Sequence, residues 1–280
     1  MTTKRIAAAV AGAAIAVTAY MTWTVRTGVK GFYSNQYSTI SASVPARQGH
    51  ADWLKRQGAN LDAIYGADSR VGTSSHGTLA DLIIRERRGG VRSVAMPYAS
   101  ATTVTSGLNA YNRAVVDSAK IDAVISEIEP YNTNDYAGFY STIRSVGNWC
   151  RTNRVMPCVY MGWPSEAAWD SIVANADRVF LHCYRASTSM SGSSQYGYVR
   201  ARMGTIAAKA KARGKKMSVV IIYSCEPEFS YDYFRAASWS ETYANYKTAY
   251  NTSATADMKN WLTQDGWMVF VSQYAKQIKP

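Results

Sequence analysis

The stretch "VRSVAMPYASATTVTSGLNAYNRAVVDSAKIDAVISEIE", residues 91–129, carries two apolar runs, 91–99 and 121–129, separated by "GLNAYNRAVVDSAK", which has helical spacing. Short apolar runs bounded by turns read as strands, so the stretch reads as strand, helix, strand. The same unit recurs along the chain. Further strand candidates lie at 29–36, 61–68, 155–163, 177–185, 217–225 and 267–274. Helical patterns fall between them, such as "ARQGHADWLKRQ", "GTLADLIIRERR", "DYAGFYSTIRSVGNWCRTNR", "SEAAWDSIVANA" and "YVRARMGTIAAKAKARG". Eight strands alternating with helices predict an α/β fold, a (β/α)8 TIM barrel. A doubly wound open sheet is the alternative, but the first strand runs into "GFYSNQYS" where that fold places a Gly-rich phosphate loop.

The chain has 280 residues, 47% hydrophobic and 18% charged, with no Pro/Ser-rich linker, which suits one barrel domain over 26–280. Residues 1–25 differ. "MTTKR" is a basic start, and "IAAAVAGAAIAVTAYMTWTV" is uncharged and mostly apolar. This is the pattern of a secretory signal peptide, or of an uncleaved membrane anchor, since Tyr20, Met21 and Trp23 stand where a cleavage site wants small residues. Either outcome makes the protein extracytoplasmic; a buried helix is the third reading. An exported chain could join Cys150, Cys158, Cys183 and Cys225 in up to two disulfides, Cys183–Cys225 being the favoured pair. Four buried thiols are the other reading, and no cysteine spacing resembles a metal motif.

The formal charge is +12, and losing Lys4 and Arg5 with a cleaved leader would take it to +10. The excess collects in 85–92 and 200–216, which read as helices with solvated basic faces or as contacts for an anionic surface. No nucleic-acid-binding motif accompanies them.

In such a barrel the residues that finish each strand converge on one rim. Here they are Tyr33 and Asn35, Tyr65 and Asp68, Tyr98, Glu127 and Glu129, Tyr160 and Trp163, His182 with Tyr184 and Arg185, Tyr223 and Glu226, and Gln273 with Tyr274. Aromatic faces stack on sugar rings and carboxylates serve as acid, base or hydroxyl ligand, so the set predicts a carbohydrate ligand. Glu127 and Glu129, two apart, share one face of their strand.

The run "DAVISEIE", Asp122 to Glu129, resembles the DxxDxDxE signature of glycoside hydrolase family 18. Asp122 matches its first acid and Glu129 its catalytic acid, while Ile125 and Glu127 replace the two acids between. "LHCYR" is similar to that family's M-x-Y-D segment, with Tyr184 on the tyrosine and Arg185 in place of the aspartate. A second resemblance is to retaining glycosidases with an acid/base Glu after strand four and a nucleophile Glu after strand seven. There "IEP" at 128–130 stands for Asn-Glu-Pro, and "YSCEPEF" supplies Glu226.

These resemblances imply a glycoside hydrolase with Glu129, Glu226 and Glu127 as its catalytic carboxylates. An ion pair between Glu129 and Arg185 would instead hold that carboxylate ionised, as in an inactive glycan-binding or structural barrel. A phosphodiesterase-type site on His50 and His76 is a third reading, with neither residue at a strand end. With His50, His76 and His182 in unrelated segments, neither metal nor cofactor is expected.

Overall fold

The structure, a computed structural model, describes residues 27–73 and 76–279. The expected signal or anchor at 1–25 lies outside the described residues. Among the described residues no helix is long and apolar enough to cross a membrane.

Eight strands form a closed, all-parallel barrel: β1 Val29–Ser34, β2 Leu61–Ile64, β3 Ser93–Tyr98, β4 Ala123–Ser126, β5 Met156–Met161, β6 Arg178–His182, β7 Met217–Ser224 and β8 Leu262–Phe270. β8 pairs back onto β1, from Val29 opposite Gly266 to Phe32 opposite Val269. The fold is therefore a (β/α)8 TIM barrel.

Period-two alternation sorts every strand between two apolar layers. Tyr33, Ala63, Ala95, Ala123, Ile125, Cys158, Tyr160, Phe180, Ile222 and Met268 fill the lumen. Their neighbours Phe32, Ile64, Val94, Met96, Val124, Val159, Leu181, Tyr223 and Val269 face the helices. Small alanines on β2, β3 and β4 share the lumen with Phe180 and Met268, so it is filled by interlocking side chains. Several of the helices start at side-chain caps: Ser43 accepts from Ala46 N–H, Asp135 from Gly138, Ser165 from Ala168 and Ser191 from Ser194.

Two elements depart from the sequence reading. The crossover from β3 to β4 was expected as one helix but is broken into a π-type turn at Thr103–Leu108 and a helix at Asn109–Ala114. Asn112 in that helix pairs with both the N–H and the C=O of Ile121, tying it to the entry of β4. β8 begins at Leu262, earlier than its apolar run suggests, and a bulge opposite Val219/Val220 lets it close the barrel. Gly266 sits there at φ +131°, and a Cβ would lie 2.0 Å from the Val29 carbonyl oxygen.

All four cysteines are buried thiols, and the favoured Cys183–Cys225 disulfide does not form. The β6–β7 register sets His182 opposite Ile222, so Cys183 falls opposite Tyr223 and Cys225 is two residues beyond. That is an offset of about 7 Å along the strands, too long for a disulfide. Cys150 and Cys158 lie on opposite sides of the barrel wall. In the second basic stretch, Lys209, Lys211, Arg213 and Lys215 end on Glu166, Asp257, Asp170 and Asp177.

Candidate active site

The carboxyl ends of the strands surround a cleft of about 670 Å³ lined by Tyr33, Asn35, Tyr65, Glu127, Glu129, Tyr160, His182, Tyr184, Glu226, Phe270, Val271, Gln273 and Tyr274. Strand parity decides which side chains reach it. Ala123 and Ile125 face the lumen, so Glu127 and Glu129, continuing that alternation past the end of β4, turn into the cleft. On β6 the same parity directs His182 and Tyr184 inward while Leu181 and Cys183 pack outward.

The two glutamates have opposite surroundings. Glu129 accepts hydrogen bonds from the Tyr131 hydroxyl and from Asn132 Nδ2 at 2.7 Å, and His182 Nε2 lies 4.0 Å from its Oε1. Two donors suit a carboxylate. Among the described residues no protein group donates to the Glu127 side chain; burial, and then the Glu129 charge beside it, push its carboxyl up to about 8. Glu127 thus holds a proton at neutral pH. Glu226 accepts from Ser224 Oγ at 2.7 Å, and that hydroxyl also receives the Glu226 backbone N–H at 3.1 Å.

Aromatic rings form the walls. His182 is stacked on Tyr184, centroids 4.8 Å apart and 5° between planes, with Tyr160 4.0 Å away on the ring centroids. Burial, aided by the Arg202 charge, drives the imidazole down to about 3, so it is neutral. The Tyr160 and Tyr184 hydroxyls hydrogen-bond each other. Tyr33 packs on Phe270 at 4.9 Å and on Tyr65 at 5.9 Å, and Tyr65 is half exposed at the mouth. Gly162 admits this packing, because a Cβ there would be 2.8 Å from the Tyr131 hydroxyl and 3.0 Å from His182 Nδ1.

Five residues expected at the rim are not in the cleft lining, and one of them, Tyr223, has the outward parity of Ile221 and is buried against the helices. Tyr98 has the outward parity of Met96 and is buried against the helices. Asp68 lies in the 3-10 turn Ala67–Ser69, beyond the end of β2. Trp163 is 54% exposed and packs on Tyr198 and on the Arg202 guanidinium, 3.9 Å from its ring. Arg185 continues the outward parity of Cys183, donating to Ser194 Oγ at 3.1 Å and lying over the Tyr198 ring. The Glu129–Arg185 ion pair of the alternative, inactive reading is therefore not formed. Asp122, the match to a catalytic signature's first acid, sits at the entry to β4, where it accepts from Arg87 and Ser93 as a structural anchor. Gln273 and Tyr274 reach the cleft from the helix Ser272–Ile278, where the sequence suggested a strand end.

Phe270 is a lining residue that the sequence reading missed. Its parity with Met268 could have found it once the β8 register was known. His76 Nδ1 donates to the Thr73 carbonyl at the exposed start of the helix His76–Gly89, whereas His50 lies beside Asp62 and Glu86 in the layer between barrel and helices. That places the two histidines of the phosphodiesterase reading in separate surroundings, and brings three potential metal ligands together where none was expected.

No protein-family model and no curated protein sequence matches the chain. Solved structures do resemble it. A family 18 chitinase from Crocus vernus superposes with a TM-score of 0.53 at 13% identity, covering 89% of this chain and 94% of the chitinase. A Cellulomonas fimi endo-beta-1,4-mannanase double mutant gives 0.50 at 13% identity over 87% of this chain and 65% of its own. A D-psicose 3-epimerase gives 0.48 at 10% identity, with 86% and 83% covered. Likeness at these identities concerns the fold, which carries many chemistries. The chain has the barrel architecture that glycosidases share with other enzymes.

Proposed function

We propose that the protein is a glycoside hydrolase acting on a glycan at this cleft, with Glu127 rather than Glu129 as the proton donor. The observation that carries the reading is the contrast between two adjacent carboxyls, one undonated and protonated at neutral pH, the other held by two hydrogen-bond donors. A carboxyl that keeps its proton at neutral pH, beside a second carboxyl, is what protonation of a glycosidic oxygen requires. Tyr33, Tyr65, Tyr160 and Tyr184 supply faces for sugar rings, and Glu226 is the carboxylate available across the rim from strand seven. The apolar run at 6–25 supports action outside the cytoplasm.

A second reading, a glycan-binding barrel without turnover, is favoured by the Glu129 carboxylate, whose two oxygens are already engaged by Tyr131 and Asn132. A glycan-array screen followed by product analysis separates the two. A hydrolase yields shortened product from a bound glycan, and Glu127→Gln and Glu129→Gln each lower the rate by about 10²-fold or more while binding persists. Binding with no product from any bound glycan leaves the binding barrel.

A further inference from the structure

Behind the wall of the barrel, between β1, β2 and the helices Val44–Arg56 and His76–Gly89, four polar side chains meet in an otherwise apolar layer. His50 Nε2 lies 3.1 Å from Asp62 Oδ2, 3.6 Å from Glu86 Oε1 and 3.2 Å from Ser34 Oγ. Ser34 donates to the other Asp62 oxygen at 2.6 Å. Asp62, Glu86 and Ser34 are fully buried and His50 is 3% exposed.

Glu86 is the unexplained member. No hydrogen bond reaches either of its oxygens, although both are sealed from solvent. A buried carboxyl without a donor, set against a second carboxyl, is costly unless something supplies positive charge or a proton. Arg87 and then Lys276 contribute charge at longer range, Lys276 from the helix Ser272–Ile278 while lying over the Trp53 ring, 5.3 Å from its centroid. Lys276 does not bond to either carboxyl among the described contacts.

We propose that His50 Nε2, Asp62 Oδ2 and Glu86 bind one divalent transition-metal ion of the zinc class. One nitrogen and two carboxylate oxygens form a donor set that suits such an ion, and ligands about 2.0–2.1 Å from a tetrahedral zinc stand about 3.3–3.4 Å apart. The observed 3.1 and 3.6 Å bracket that spacing, and all three donor atoms fall within 4.8 Å of one another. Ser34 acts in the outer shell by occupying Asp62 Oδ1 and leaving Oδ2 for the metal. Trp53, stacked on the His50 ring at 6.1 Å and 22°, holds the imidazole in place. A cavity of about 380 Å³ bordered by His50 and Lys276 opens beside the cluster. The ion would join β2 to both helices from behind the cleft, and the inference does not depend on the glycosidase reading.

The test uses the tag-free full chain, stripped with a chelator and then given Zn²⁺ or Co²⁺ alone. Metal is counted by mass spectrometry after gel filtration, and thermal unfolding is followed with and without Zn²⁺. One equivalent bound, a midpoint raised by Zn²⁺, and affinity lowered at least 10-fold in both Glu86→Gln and Asp62→Asn support the site, provided His76→Ala binds as wild type does. Wild type that binds no metal and unfolds at the same temperature with Zn²⁺ overturns it, the Glu86 carboxyl then being held by a proton. Metal binding that survives both carboxyl variants overturns it as well, as adventitious surface binding.

Discussion

Replacing Glu127 by Gln should make the protein more stable at alkaline pH, and by an amount that grows with pH. Folding raises this carboxyl from 4.5 to about 8 by burial and by the neighbouring Glu129. A raised acid is protonated in both states below pH about 4.5, where it costs nothing. Between that value and about 8 the unfolded chain releases a proton that the folded chain keeps, so wild-type stability falls as pH rises, and above about 8 the penalty is complete. The rise from 4.5 to about 8 sets an upper limit near 5 kcal/mol. Glu127 borders an open cleft, so about 2–4 kcal/mol is expected at pH 8.5. Gln keeps the shape of the protonated acid and never ionises. Urea unfolding of wild type and Glu127→Gln at pH 5 and pH 8.5 is the assay, and each kcal/mol should also appear as about 2–4 °C in the thermal midpoint. Other groups titrate in both proteins and cancel in the difference. A variant whose advantage is the same at the two pH values would show that Glu127 is not raised, and the proton-donor assignment would go with it.

Gly162→Ala should push Tyr131 or His182 aside, costing about 1–3 kcal/mol in urea unfolding and weakening any glycan binding several-fold, because the added Cβ lies 2.8 Å from the Tyr131 hydroxyl. Gly266→Ala should be far worse, with loss of soluble protein or more than about 4 kcal/mol, since its Cβ meets the Val29 carbonyl at the β1–β8 closure. A thiol reagent should find essentially no reactive cysteine in the native protein and all four after denaturation, as Cys150, Cys158, Cys183 and Cys225 are buried thiols outside any disulfide. Fewer than four reactive thiols in denatured, non-reduced protein would reveal a disulfide that the strand register forbids.

The barrel was legible in the sequence because its determinants are local. Apolar runs bounded by turns and spaced by helices are written residue by residue, and eight of them leave few ways to bury every strand. The glutamates of 121–129 were legible for the same reason: a period of two carried from Ala123 and Ile125 to Glu127 and Glu129 needs no knowledge of other strands. Closure was less so, since the bulge at Gly266 that lengthens β8 and recruits Phe270 answers to β1 and β7 rather than to its own neighbours. The side taken by a strand-end residue depends on register, which is why Tyr98 and Arg185, read as rim residues, face outward to the helices. Proton affinity is still more remote from local pattern. Glu127 and Glu129 are the same residue type two positions apart, and the burial that raises Glu127 and the donors that reach Glu129 both come from the folded chain. His50, Asp62 and Glu86 lie on three different elements, so their meeting is a property of packing helices on a barrel, which no spacing in the sequence records.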